Sequence, residues 1–282
     1  MTEGLHRLLM SPAPRTDADR VEVILDRERP PSVPRRSDQL PVWRTMQYTL
    51  DISSRFLLRL LVGKATREAA DRLIDGYWRR IFRSGNAALH VTGRHHFTPG
   101  QPFIIMSNHG SLLDIPALMG AIPGSMRMVM KEELSRVPVW GQALVASGFV
   151  AIDRKNREKA IGQLEKAKKM LGKGISIWIS PEGTRSRNGL LAPFKKGGFH
   201  LATQLGMPII PAWIEGASDI VPPDQFRVIY DGTCTVRFGA PIDTAHVGRE
   251  QLPELMAEVR RAILGLSGRA EEVDAERLPR AA

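Results

Sequence analysis

The stretch Ser107–Leu118, SNHGSLLDIPAL, sets His109 five residues ahead of Asp114, just after the apolar run PFIIM. A neutral imidazole whose ring is oriented by a carboxylate is a general base near neutral pH. Without a serine or cysteine nucleophile beside it, such a base deprotonates a substrate hydroxyl directly. Residues five apart on one continuous helix lie about 140° from each other and face different sides. A working pair therefore requires His109 on the turn after a strand and Asp114 in the first turn of the next helix. Gly110 supplies backbone freedom for that turn. Pro116 is tolerated early in a helix, which places the helix start near Asp114. The same residues also spell an ordinary helix start. Ser111-Leu-Leu-Asp114 matches a capping box, and Asp114 could itself be the cap. The stretch alone does not separate a catalytic pair from a capped helix. Ser111 is better explained as a cap than as a nucleophile, since the Gly-x-Ser-x-Gly elbow is absent.

A second cluster lies at Ile179–Gly189, ISPEGTRSRNG. A buried-type strand, ISIWIS, runs into Pro181, Glu182, Gly183 and Thr184, followed by Arg185 and Arg187. Arginine suits bidentate capture of phosphate or carboxylate, and Gly183 lets the backbone approach a ligand closely. Downstream, Lys195 and Lys196 precede two glycines and a helical pattern, the makings of an anion site at a helix start. Lys131 follows the strand-like run RMVM, and Asp153-Arg154 follows GFVAI. Taken alone, the basic stretch from Arg185 to Lys196 reads better as a solvated surface loop.

These groups need a frame. Short apolar runs (PFIIMS, RMVM, GFVAI, ISIWIS, MPIIPAWI, CTVRFG) alternate with helical patterns at 112–119, 157–171, 197–205 and 250–264. Such alternation predicts an α/β fold with a mostly parallel central sheet flanked by helices. Ligands in such sheets bind beyond the carboxyl ends of the strands, where the polar clusters fall. Two helices are expected first, at about 42–62 and 65–84. Trp43, Met46, Leu50 and Leu57 line one, and Leu73, Tyr77, Trp78 and Ile81 the other, among several arginines. That is the pattern of an interfacial pair and equally of a helical hairpin packed on the domain. The organisation reads as a disordered leader (1–40), an amphipathic two-helix motif (41–86), an α/β domain (87–268) and a polar tail (269–282).

The composition narrows the partners. The chain has 282 residues, 43% of them apolar, a single cysteine and a formal charge of +10. One cysteine excludes a disulfide framework and a cysteine-based zinc site. The positive excess is +6 over residues 42–100 and +8 over 101–214, against −4 over 215–282. Anionic partners follow: phosphorylated small molecules, an anionic membrane face, or nucleic acid. No nucleic-acid module is recognisable. The chain reads without a signal peptide, and its apolar runs fall short of the roughly 18–20 residues that span a bilayer. Any membrane contact is expected to be peripheral.

Together the motifs resemble the glycerolipid acyltransferase family, and most closely its bacterial 1-acylglycerol-3-phosphate acyltransferases. Asn108, His109 and Asp114 match Asn-His-x4-Asp. Gly148, Ile152, Asp153 and Arg154 match the second motif, Pro181 to Ser186 the third, and Ile209, Ile210 and Pro211 the fourth, all in order. Two departures are small: Ser180 stands where the family usually has Phe, and Leu112 where an aromatic residue is common. The resemblance implies that His109 is the general base, oriented by Asp114. It further implies that Asn108, Glu182, Gly183 and Thr184 help bind the acceptor, with Lys131 and Arg185 holding its phosphate and Arg154 and Lys195 as further candidates. Acyl-CoA or acyl carrier protein would be the donor and a lysophospholipid the acceptor, with no cofactor or metal. The helices at 42–84 would dock on anionic lipid at the cytoplasmic face of the inner membrane. A different lyso-lipid acceptor, such as lyso-ornithine lipid, or a non-catalytic basic membrane-binding protein are the competing readings.

Overall fold

The computed structural model describes residues 21–28, 37–152 and 168–269. Among them, eight strands form one sheet. Its members are β1 (Glu22–Leu25), β3 (Ala88–Thr92), β4 (Ile104–Ser107), β5 (Met126–Lys131), β6 (Val150–Ile152), β7 (Ser176–Ile179), β8 (Ile209–Glu215) and β10 (Thr233–Phe238). Their order is β1-β3-β10-β8-β4-β7-β5-β6. All pairings are parallel except β1 with β3 and β10 with β8. The mostly parallel α/β sheet expected from the alternation is therefore the one observed.

The central strands β4, β7 and β8 are buried on both sides, which explains why they read as continuous apolar runs. Successive side chains of a strand face opposite ways. On β4, Ile105 joins the core shared with α2 (Arg67–Ser84) and α3 (Asp114–Ala121). Its neighbours Ile104 and Met106 join the core beneath α6 (Lys196–Leu205) and α8 (Leu252–Ser267). Of the helix expected at 157–171, only residues 168–171 are described, and they are helical. Pro211 lies inside β8. Opposite it, Gly239 donates to the Pro211 carbonyl at 2.9 Å. The reciprocal bond that proline cannot donate is lost just where β10 ends at Phe238.

Both expected N-terminal helices form. α1 spans Leu40–Leu61 with Pro41 in its first turn. α2 is capped by Thr66, whose hydroxyl accepts from Ala69 N at 3.2 Å. The two differ in what they bury. Trp78 and Phe82 of α2 are fully inside the core. A Cβ added to Gly120 of α3 would come within 2.9 Å of the Trp78 ring, so glycine is what lets the two helices close. Trp78 thus leaves the interfacial face assigned to it from the sequence. Its indole is needed to cover the sheet. On α1, by contrast, Trp43, Met46, Leu50 and Leu61 are exposed, Trp43 at 61%.

The leader also differs from expectation. Glu22–Leu25 adds to the sheet edge, antiparallel to β3. Ser37–Asp38 (β2) pairs with Val228–Ile229 (β9). Arg27 donates to Asp231 O at 3.2 Å and to the Thr233 hydroxyl. The Pro, Arg and Asp content around residue 30 masks the short run Val21-Glu22-Val23-Ile24-Leu25, with three β-branched residues, from which the sheet edge recruits Glu22–Leu25. The α/β domain therefore begins before residue 87.

Candidate active site

The site gathers at the carboxyl ends of β4, β7 and β5. β4 stops at Ser107, and α3 begins at Asp114. His109 lies on the turn between them, as a working pair requires. Its Nδ1 is 2.8 Å from Asp114 Oδ2. The same Oδ2 accepts from Gly110 N and Ser111 N, each at 2.8 Å. A carboxylate oxygen facing Nδ1 requires the proton there, which leaves Nε2 as the basic nitrogen. The Asp114 side chain is 2% exposed and that of His109 15%, so the carboxylate is sealed while the imidazole is partly open to the surface.

The capping pattern is present as well. Asp114 reaches back to Ser111 N, while Ser111 Oγ accepts from Leu113 N at 3.1 Å. Ser111 Oγ also donates to Val221 O at 2.7 Å and is buried, so it is no nucleophile. Gly110 is not in the left-handed region. It is needed for space instead, since a Cβ there would meet Ser218 Oγ at 2.8 Å. The backbone freedom expected of it belongs to Gly183, at φ +75°.

Two of the expected binding residues turn inward. The Asn108 amide exchanges two bonds with the Ile214 backbone of β8, at 2.9 and 2.8 Å, and so extends the ladder by a side chain. Glu182 is 2% exposed. Its Oε1 accepts from His109 N at 3.1 Å and its Oε2 from Ala192 N at 2.9 Å. Burial pushes its carboxyl up to about 7, against the opposing pull of those two N–H groups and of His109 and Arg260. His109 O in turn accepts from Ser186 N at 2.7 Å. The loop after β7 thus grips the main chain of His109 on both sides. Trp178 of β7 meets the His109 ring edge-to-face, with centroids 5.3 Å apart, and its Nε1 donates to Ser107 Oγ at 2.9 Å.

Three expected cations stand at this end of the sheet. Lys131 is the exposed last residue of β5, Arg185 is half-buried after Gly183 and Thr184, and Lys195 is exposed at the start of α6. Among the described residues none of the three forms an ion pair, whereas Arg187 is held by Asp224 at 3.0 Å. Thr184 is exposed. Arg154 lies outside the described residues. No group of three or more His, Cys, Asp or Glu side chains converges as a metal site among the described residues. Sequence reasoning missed Trp178, Ser186 and Arg260. Ser186 stood at the end of the third motif, and Arg260 stood as a lone cation in the otherwise apolar row Met256, Ile263, Leu264 of α8.

The α/β sheet thus holds a His-Asp pair at its carboxyl end, with three cations at the same end that form no ion pair among the described residues. Residues 88–215 match the Acyltransferase family model. It is 37% identical over 175 residues to the 1-acyl-sn-glycerol-3-phosphate acyltransferase alpha of Mus musculus, covering 62% of this chain and 61% of that protein. It is 35% identical over 158 residues to the 1-acyl-sn-glycerol-3-phosphate acyltransferase of Escherichia coli K12, covering 56% and 63%. The chain thus spans about three-fifths of these curated relatives' length. In three dimensions it resembles the crystal structure of the 1-acyl-sn-glycerophosphate acyltransferase PlsC from Thermotoga maritima. The TM-score is 0.67 at 25% identity, covering 82% of this chain and 93% of that one.

Proposed function

We propose that the chain transfers a fatty acyl group from acyl-CoA or acyl carrier protein to the free sn-2 hydroxyl of 1-acylglycerol-3-phosphate, giving phosphatidic acid. The observation that carries this is the Nδ1–Oδ2 contact of 2.8 Å between His109 and Asp114, which leaves Nε2 as the basic nitrogen. Nε2 takes the hydroxyl proton as the oxygen attacks the thioester carbonyl carbon. Asp114 stabilises the imidazolium that forms. The tetrahedral adduct collapses by breaking its C–S bond, and the imidazolium returns its proton to the departing thiolate. Both products leave without a covalent acyl-enzyme, a metal or a cofactor. Lys131 and Arg185 hold the acceptor phosphate, with Lys195 and Arg154 as further contributors and Gly183 and Thr184 shaping the acceptor's seat.

The acceptor comes from a membrane. Among the described residues no helix is long and apolar enough to cross one. The exposed face of α1 suits docking on lipid instead, with Trp43, Met46, Leu50 and Leu61 dipping into the interface. Anionic lipid at the cytoplasmic face of the inner membrane fits the basic charge of residues 42–214. The deciding experiment is a panel of lyso-acceptors tested with both donor types on purified protein. Preference for lysophosphatidate is expected. Equal or better use of lyso-ornithine lipid or of a neutral lysophospholipid overturns the assigned acceptor.

A further inference from the structure

Arg260 sits on α8, well beyond the end of the matched segment, and is 7% exposed. Its guanidinium makes two bonds of 2.8 Å, Nη1 to Ala192 O and Nη2 to Leu191 O, and its Cζ lies 5.2 Å from the centre of the Phe194 ring. Leu191 O belongs to the same peptide group as Ala192 N, which donates to Glu182 Oε2 at 2.9 Å. The other oxygen of Glu182 accepts from His109 N at 3.1 Å. One peptide unit therefore has a cation on its oxygen and an anion on its N–H, and the anion in turn holds the main chain of His109. A charged donor on a carbonyl polarises the peptide and strengthens the bond its N–H makes.

We propose that Arg260 is a positioning residue for His109, acting through the Leu191–Ala192 peptide and the Glu182 carboxylate. The proposal rests on His109 being the base. It places Glu182 outside the acceptor-binding set, because both of its oxygens serve backbone N–H groups. Arg260 does two things here. It fixes the 191–192 peptide so that Ala192 N meets Glu182, and it supplies the buried carboxylate with positive charge at one remove. The charged or titratable groups acting on Glu182 are His109 and Arg260. Without Arg260, Glu182 takes up a proton at higher pH, and a neutral carboxyl grips two N–H groups less firmly than a carboxylate. His109 then loses its fixed distance to the attacking hydroxyl.

The test uses the full chain with whichever lyso-acceptor the wild type turns over. Arg260→Met is expected to lower kcat by about ten- to a hundredfold, the scale of a small misplacement of a catalytic group. KM for the acceptor stays within about twofold, since the misplaced group is the base and not a binding contact. The acid limb of the pH–rate profile moves to higher pH. Arg260→Lys, which keeps the charge and can reach one carbonyl, restores part of kcat. Glu182→Gln lowers kcat likewise, and Arg260→Met added to it costs little more, because the two act in series. An acceptor KM that rises with kcat unchanged, an unmoved acid limb, or fully multiplicative losses overturns the proposal.

A second readout is independent of turnover. The His109 ring resonance, assigned by its loss in His109→Ala, should shift in Arg260→Met and return towards the wild-type position in Arg260→Lys. The His95 and His246 resonances should stay in place. An unshifted His109 signal in a folded variant sinks the proposal even if the natural acceptor proves different. Should Arg260→Met fail to fold, Arg260→Lys and Arg260→Gln carry the same comparison: a Gln variant with wild-type kcat and His109 signal overturns it.

Discussion

His109 and Glu182, 73 positions apart in the chain, are joined by a bond of 3.1 Å from the main-chain N–H of one to the carboxylate of the other. His109 is thus held at two levels. Asp114 orients its ring, and the loop after β7 fixes its backbone. The ring and the backbone can be perturbed separately.

Replacing His109 by Ala removes the base, and turnover falls by at least about a hundredfold, the contribution of general-base catalysis. Asp114→Asn keeps the shape but no longer requires the proton on Nδ1, and a loss of about 10²- to 10⁴-fold is expected. Steady-state assays check both, with vesicle binding retained as evidence of intact protein. Wild-type turnover in His109→Ala would remove His109 as the base.

Glu182 gives stability a pH dependence whose sign is set by its raised carboxyl. The protonated form is favoured in the folded protein, so this contribution is fully present below about 4.5 and is lost as pH rises through about 7. Two and a half pH units correspond to on the order of 3 kcal/mol. Denaturant unfolding at pH 5 and pH 8 should show the wild type losing stability relative to Glu182→Gln at the higher pH. Parallel curves for the two proteins would argue against a strained buried carboxylate.

Removal of the cations at the carboxyl end of the sheet should act on acceptor binding. Lys131→Ala and Arg185→Ala are each expected to raise the acceptor KM by about tenfold or more, the loss of one charge-assisted contact. Ionic strength should weaken the wild type more than either variant. Initial rates across acceptor concentrations decide it. Unchanged KM in both would move the phosphate site elsewhere.

The helices α1 and α2 should part company on mutation. Trp43→Ser with Leu50→Ser should weaken sedimentation with anionic vesicles and leave the melting temperature nearly unchanged. Trp78→Ala should instead cost about 3–5 kcal/mol of folding stability, because its ring fills the space against Gly120 and Leu89. Vesicle sedimentation and thermal melts on the same preparations separate the two effects.

The sequence by itself determined the α/β alternation, the six main strands, and the placement of His109 on a turn with Asp114 at a helix start. Those are local facts. Side-chain period, helix geometry and a proline near a helix start are readable within about ten residues. It also determined the polar clusters at the strand ends, because a strand that is buried on both faces must stop where polarity returns.

Only the tertiary structure decided which way the polar residues turn. Asn108 and Glu182 look like binding groups in the chain. In the fold they satisfy backbone atoms of Ile214, His109 and Ala192, which lie up to 106 positions away. Trp43 and Trp78 look alike on two amphipathic helices, yet one is exposed and the other buried, since only α2 packs beneath α3. The strand at 22–25 forms because a sheet edge is available to pair with it. Arg260 connects to His109 only through a peptide that folding brings beside Glu182. Hydrogen-bond partners and buried faces are assigned by contacts across the chain, and those contacts exist only once β4, β7, β8 and α8 have come together.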